Sequence, residues 1–289
     1  MDNSIYQQQN NREILLLQKA QRSKYTEAKK VLYPGLYLSI AGTVIFAILT
    51  SFYDIELLNT ISSFLAIVLF AFTSYMEKKA NEHIELAAKI QQTIDVKLFQ
   101  MPDNCHVLLS NEIKEIAASH TSAELSEFEN WYSDYSSLDF SKQIFLSQKE
   151  NIRWDQKLRE KYSCLITSLA IGCPILLLIY IIFTNASASS FFAMASWLFP
   201  LEQFLITQWV GLRDNINYLK AVNEEYRSIE KCYEKYSPAE IQCKLCGLQT
   251  YIFEHRKKSI MIPDWFYKKH QSKMQKYEDD VAAETLRKD

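Results

Sequence analysis

Between Tyr162 and Leu201 the chain has forty consecutive residues without one Asp, Glu, Lys, Arg or His. A bilayer core about 30 Å thick takes roughly 20 helical residues per crossing. The run is twice that length, and its middle, Asn185-Ala-Ser-Ala-Ser-Ser190, is small and polar, so it reads as a helical hairpin that crosses a membrane and returns. The N-terminal half repeats the arrangement: Val31 to Tyr53 is uncharged, Asp54-Ile55-Glu56 interrupts, and Leu57 to Met76 is uncharged again. The expected architecture is an all-α polytopic membrane protein, with four transmembrane helices in two hairpins (31–53 with 57–76, and 162–184 with 189–212). Helical cytoplasmic extensions occupy 1–30, 77–161 and 213–289. The competing reading, four buried helices of a soluble protein, fits poorly. A soluble helix keeps one polar face and runs roughly 8–20 residues, whereas these stretches together carry only Asp54, Glu56 and Glu202 as charges. About 30 polar residues precede the first apolar run, which is itself too long for the apolar core of a signal peptide.

The average composition, 48% hydrophobic with a net charge of −2, conceals this segregation. Five Gly and six Pro in 289 residues argue against sheets, barrels and phosphate-cradling Gly loops. Near-neutrality provides no case for a DNA or RNA duplex as partner. Lys and Arg near the span ends set the orientation. Lys24, Lys29 and Lys30 precede the first span, Lys78 and Lys79 follow the second, Arg153, Lys157, Arg159 and Lys161 precede the third, and Arg213 and Lys220 follow the fourth. The two short connections contain neither residue, so both termini and every polar piece are expected in the cytoplasm. Cysteines there (Cys105, Cys232, Cys243, Cys246) stay reduced, and no disulfide framework is expected.

Within the first span Gly35, Ser39 and Gly42 or Thr43 form a small-residue face that admits a neighbouring helix. After Met76 the pattern Ala80, Ile84, Ala87, Gln91, Ile94, Leu98 describes an amphipathic helix ended by Pro102. A short helical pattern follows at Glu112–His120. From about Leu138 a helix runs into the third span, where Gly172-Cys173-Pro174 marks a kink. The fourth span holds the one ionisable residue inside the membrane, Glu202, and Ser196, Gln203 and Thr207 lie on one stripe beside it. Such a stripe reads either as the lining of a pore that wets on assembly or as hydrogen-bonding glue within the bundle. Beyond it Ile216, Leu219, Val222, Tyr226, Ile229 and Tyr233 form a further amphipathic helix, and Ser237-Pro-Ala-Glu240 is a capping box opening another.

No catalytic constellation is visible, and no cofactor is implied. Cys243-x-x-Cys246 with His255 and His270 has the wrong spacing for a zinc finger and falls on a helix, so no metal site is expected. The densest basic stretch is Lys149-Glu-Asn-Ile-Arg153-Trp154-Asp155-Gln-Lys157-Leu-Arg159-Glu-Lys161-Tyr162. Guanidinium groups beside an indole suit a phosphorylated, base-bearing ligand, by bidentate bonds and stacking. Juxtamembrane topology signals would produce the same residues.

This stretch resembles the "CQ-x-x-N-x-x-W-D-x-x-L-R-x-x-Y" region of the SMODS-associated four-transmembrane effectors, through Gln148, Asn151, Trp154, Asp155, Leu158, Arg159 and Tyr162. Three more pieces agree in order: Ala20-Gln21-Arg22 with Tyr25, Ala28 and Lys29; Ile90-Gln91-Gln92 with Asp95, Leu98 and Phe99; and Asn130-Trp131-Tyr132. Ser147 stands where the family has Cys, and Met101-Pro102 lacks the following Trp. The resemblance implies a non-enzymatic effector of anti-phage defence in the bacterial inner membrane. A partner nucleotidyltransferase would make a cyclic oligonucleotide, and the homo-oligomerised effector would permeabilise the lipid bilayer and abort infection. On that reading Arg22, Arg153, Trp154, Lys157 and Arg159 hold the ligand, and Ser196, Glu202, Gln203 and Thr207 line or gate the pore. The alternatives are a constitutive small channel or transporter and a membrane-anchored sensor or scaffold.

Overall fold

The computed structural model describes residues 4–52, 56–102, 105, 107–108, 110–119 and 124–288, all of them helical or irregular, with no strand among them. The helices are α1 (Ile5–Gln8), α2 (Arg12–Phe52), α3 (Glu56–Leu98), α4 (Ser110–Ala118), α5 (Phe140–Thr184), α6 (Ala188–Cys232), α7 (Pro238–Lys257) and α8 (Asp264–Lys288). Asp54 and His120 lie outside the described residues, as do the side chains of Ser39 and Thr43. Two compact units divide the chain: one takes in 1–26, 83–160 and 214–289, the other 27–82 and 161–213.

In the first unit, buried faces of α2, α3, α5, α6 and α7 share a core that includes Leu17, Ile90, Leu98, Phe99, Phe145, Tyr226, Leu245 and Leu248. The helix boundaries follow local chemistry. Gln100 turns left-handed (φ 49°) and Met101 N–H donates to Val96 O, so a Schellman cap ends α3 before Pro102 is reached. Ser237 and Glu240 form the reciprocal capping box that opens α7. The Gln- and Asn-rich N-terminus is packed rather than loose. Gln9, fully buried, donates to Tyr132 O and accepts from Tyr132 N–H, while Asn10 and left-handed Asn130 exchange a second pair of bonds.

Through this core runs a chain of buried polar groups. Asp95 accepts from Tyr132 Oη (2.8 Å), Gln249 Nε2 (3.0 Å) and Arg256 (2.5 Å). Gln249 also donates to Gln92 and accepts from Gln148, and Asn151 donates to the Tyr132 hydroxyl. A buried charge is tolerated only when paired and hydrogen-bonded, and here Asp95 and Arg256 supply each other's partner.

The second unit is built differently. Among the described residues one helix, α5, is long and apolar enough to cross a membrane, and only 6% of its most apolar window is buried. Leu57, Phe64, Ile67, Leu176, Phe183 and Phe192 are all more than 60% exposed, the reverse of a soluble core. Between α5 and α6, Asn185 is left-handed (φ 47°) and the Ser187 hydroxyl accepts from Ser190 N–H, so the small polar segment is a turn with its own cap. Close approach falls where the small-residue face lies. A Cβ on Gly42 would sit 2.1 Å from the Trp197 ring, and one on Gly35 would sit 2.4 Å from the Thr73 methyl. Helix α5 continues through Pro174 and α6 through Pro200.

Asp95→Asn is expected to lower stability by about 3–5 kcal/mol, because Arg256 loses its counter-charge in a buried site. Asp95→Asn with Arg256→Met should recover most of that loss. Thermal unfolding of the purified chain in detergent measures both.

Candidate functional site

The basic stretch singled out in the sequence lies on α5, and the structure divides its residues into three kinds. Arg159 is 5% exposed; it donates to Asp155 (2.9 Å), Asn215 Oδ1 (3.0 Å) and the carbonyl of Ile260 (2.9 Å). With its guanidinium committed to three partners, it anchors the segment between α7 and α8 rather than facing a ligand. Asp155 is shared with His255, whose Nε2 lies 2.6 Å away and whose ring stacks on Tyr218. Burial works against ionisation of Asp155, but Arg159 and His255 outweigh it and hold the carboxyl well below the usual carboxylate range. The same burial pushes the Tyr25 hydroxyl nearby up to about 12, opposed by Arg256.

Trp154 and Arg22 form the second kind. The Trp154 indole meets the Tyr267 ring at 6.4 Å, and the Arg22 guanidinium lies 5.5 Å over that same ring. Arg153 and Lys157 form the third. Lys157 Nζ sits 3.0 Å over the Tyr277 ring, and Arg153 lies 5.9 Å from it. The Arg153 Nε donates to both oxygens of Glu278, at 3.0 and 2.7 Å, and its Nη2 makes a further bond to the same carboxylate. Four of the five expected ligand residues therefore meet α8, through Tyr267, Tyr277 and Glu278.

Those three residues were not identified from the sequence. For Tyr267 and Glu278 the signal is the spacing Tyr267, Met274, Glu278, Ala282, a stripe at helical intervals whose last three members are at most 5% exposed. A Glu on such a stripe implies a cation facing it.

Glu150 lies one turn before Arg153 and is 5% exposed; it accepts from Ser133 N–H (3.3 Å) and the Tyr135 hydroxyl (3.4 Å). Burial pushes its carboxyl up to about 7, with the charge of Glu278 adding to the effect and Ser133 and Arg153 opposing it.

In the second unit the expected pore stripe also divides. Gln203 and Thr207 line a small open cleft with Leu32, Leu36, Thr73, Ser74, Glu77, Pro200 and Phe204. Ser196 turns instead to Ser63 (3.3 Å) and to its own helix at Phe192 O. Glu202 is half-buried outside that lining, with one carboxylate oxygen lacking a hydrogen-bond partner among the described residues. Glu77, absent from the sequence-based reading, is the acidic group of the cleft, and burial pushes its carboxyl up. Cys243 and Cys246 lie on α7, and no group of three or more metal-ligating side chains occurs among the described residues.

The raised Glu150 carboxyl has a definite pH signature. The folded chain keeps this proton to about pH 7, whereas an unfolded Glu releases it near 4.5. The folded state thus binds more protons across that window, and stability falls as pH rises through it. Glu150→Gln should match the native protein near pH 4.5. Above pH 7 it should exceed it by on the order of 3 kcal/mol at most, read as unfolding midpoints over a pH series.

Comparison with known proteins places this architecture. No solved structure matches the chain. A protein of Bacillus cereus (strain VD146), named as a probable CBASS effector molecule, is 28% identical over 207 residues, 68% of each chain. The family model of the SMODS-associating 4TM effector domain matches residues 3–285, nearly the whole length, and the chain belongs to that family.

Proposed function

We propose that the protein is a CBASS effector of the inner membrane that is switched on by a cyclic oligonucleotide and permeabilises the bilayer through its four spans. Membership of the 4TM effector family and the name of the Bacillus cereus relative support the pathway. The observation that carries the ligand is the meeting of Arg22, Arg153, Trp154 and Lys157 with the rings of α8. Guanidinium forks bind phosphate bidentately, and an indole beside a phenol ring provides a surface for a base. The spans are 31–53, 57–76, 162–184 and 189–212, with both termini cytoplasmic. Exposed Leu, Ile and Phe along α2, α3, α5 and α6 support them, because such surface is stable only against lipid or another copy of the chain.

Coupling follows from covalent continuity. Arg22 lies on α2, which runs to Phe52, and Arg153 and Lys157 lie on α5, which runs to Thr184. A ligand that pulls on these cations acts on helices that enter the spans without a break. In the oligomer the polar cleft with Gln203, Thr207 and Glu77 becomes wet and passes ions, which depolarises the cell and aborts phage growth.

Co-expression with a nucleotidyltransferase that makes cyclic oligonucleotides should depolarise the membrane, and expression without it should not. Lack of depolarisation in both cases would reject the proposal. Arg153→Leu should make depolarisation insensitive to nucleotide dose, because the phosphate loses its charge-assisted contact. Gln203→Leu with Thr207→Val should abolish depolarisation while nucleotide binding, measured by calorimetry, is unchanged. A leak that persists in this variant would place the pore elsewhere.

A further inference from the structure

We infer that α8 is an internal occupant of the nucleotide site, with Glu278 holding the place of a phosphate on Arg153, so that ligand activates the effector by displacing the C-terminal helix. The inference rests on the ligand reading above and adds its regulation.

Three independent contacts point the same way. The Glu278 carboxylate takes a three-contact fork from Arg153 that a phosphate would also take. Tyr277 occupies the approach to Lys157, and Tyr267 occupies the approach to both Arg22 and Trp154. Four of the five residues expected to meet phosphate or base are thus met by a carboxylate or ring from a single helix. Glu278 is 1% exposed, on a stripe where Met274 and Ala282 are apolar, so its charge is tolerated there only with Arg153 opposite.

The exchange is also the one that chemistry favours. Arg153 remains 20% exposed at its side chain, which leaves an anion a route to the guanidinium. A phosphate that takes over the fork conserves the hydrogen bonds of Arg153 and returns Glu278 to water, where its charge is fully solvated. Glu150 and Glu278 repel each other across this site, and removal of α8 relieves that repulsion. Toward the C-terminal end of α8, Ala282 and Leu286 pack on a small cluster with Tyr135, Leu138 and Leu146.

The test is hydrogen–deuterium exchange over Asp264–Lys288 in the full chain, reconstituted in nanodiscs of bacterial inner-membrane lipid. Native protein, Glu278→Gln and the charge swap Arg153→Glu with Glu278→Arg are each compared alone and with cyclic di-AMP, cyclic tri-AMP or tripolyphosphate. An activating nucleotide should speed exchange in α8 of the native chain by on the order of tenfold, with α3 and α7 unchanged. Glu278→Gln should reach that rate without nucleotide and leak in proteoliposomes. The swap should be slow again and deaf to nucleotide.

If nucleotide opens the native leak while α8 stays protected, or if Glu278→Gln keeps α8 protected, the displacement idea is overturned and the proposed function stands. If Glu278→Gln frees α8 and leaks but the native chain answers none of the three probes, displacement is upheld and the proposed activation by those nucleotides fails. Should Glu278→Gln loosen α3 and α7 as well, the swap decides. Slow exchange throughout supports the pairing, and fast exchange in α8 overturns it.

Discussion

The carboxylate of Asp95 is the point on which the first unit closes. That unit is assembled from three stretches of chain, 1–26, 83–160 and 214–289, which the apolar segments keep apart in sequence. Asp95 comes from the second stretch and Arg256 from the third, and the groups around them, Tyr132, Gln148 and Gln249, bind one another in a buried interior. A carboxylate with three donors in low dielectric costs several kcal/mol to undo. The pairing of Gln9 with Tyr132 depends on the position of Tyr132, which this network holds. Hydrophobic burial drives the collapse, but residues such as Ile90 and Leu248 would accept several registers. The polar groups accept one.

The length of the helices, rather than any loop, links ligand chemistry to the membrane in the proposed mechanism. Helix α5 has two characters within one hydrogen-bonded rod: a polar half with Gln148, Glu150, Arg153, Asp155 and Arg159, and an apolar half whose side chains are largely exposed. Helix α5 is continuous from 140 to 184 and α2 from 12 to 52, with Pro174 and Pro34 inside them. Pro174 and Pro200 interrupt single backbone bonds in apolar surroundings, where a freed carbonyl needs a local partner. Each hydroxyl in these stretches that is tied to its own helix, such as Thr167 to Ser163 and Thr184 to Tyr180, has no free proton left for a pore.

Much of this was legible in the sequence, for physical reasons that also mark where it stops. Charge segregation located the apolar segments because the cost of a bare charge in hydrocarbon is large and local. The capping box at Ser237 and the turn at Asn185–Ser190 were readable because their chemistry spans only a few residues. Gly35 and Gly42 were readable as small; that Thr73 and Trp197 are what they admit was not, since those partners lie far along the chain. Arg159 and Arg153 both read as ligand residues of the basic stretch, yet Arg159, less than two turns further on, is sent to Asn215 and Ile260, over 50 residues away in sequence. Only long-range packing separates a structural guanidinium from one with a route to solvent. The pairing of Gln9 and Asn10 with Tyr132 and Asn130 was not legible, because side chains that imitate backbone pairing have no periodic signature.

The two buried carboxylates, Asp95 and Glu278, show why one pairing is permanent and the other exchangeable. Asp95 receives its donors from three residues on two segments, Tyr132 on one and Gln249 and Arg256 on α7, so no single incoming group reproduces the set, and its removal strands Arg256, which is 7% exposed. Among the described residues Glu278 receives every donor from one guanidinium on one helix, and that guanidinium retains access to solvent. One anion can therefore replace the whole of Glu278's coordination in a single step, while the departing carboxylate gains hydration. Desolvation, which makes Asp95 immovable, works against Glu278 as soon as an alternative anion is present. The difference between scaffold and switch in this unit thus reduces to how many segments supply the hydrogen bonds of each buried charge.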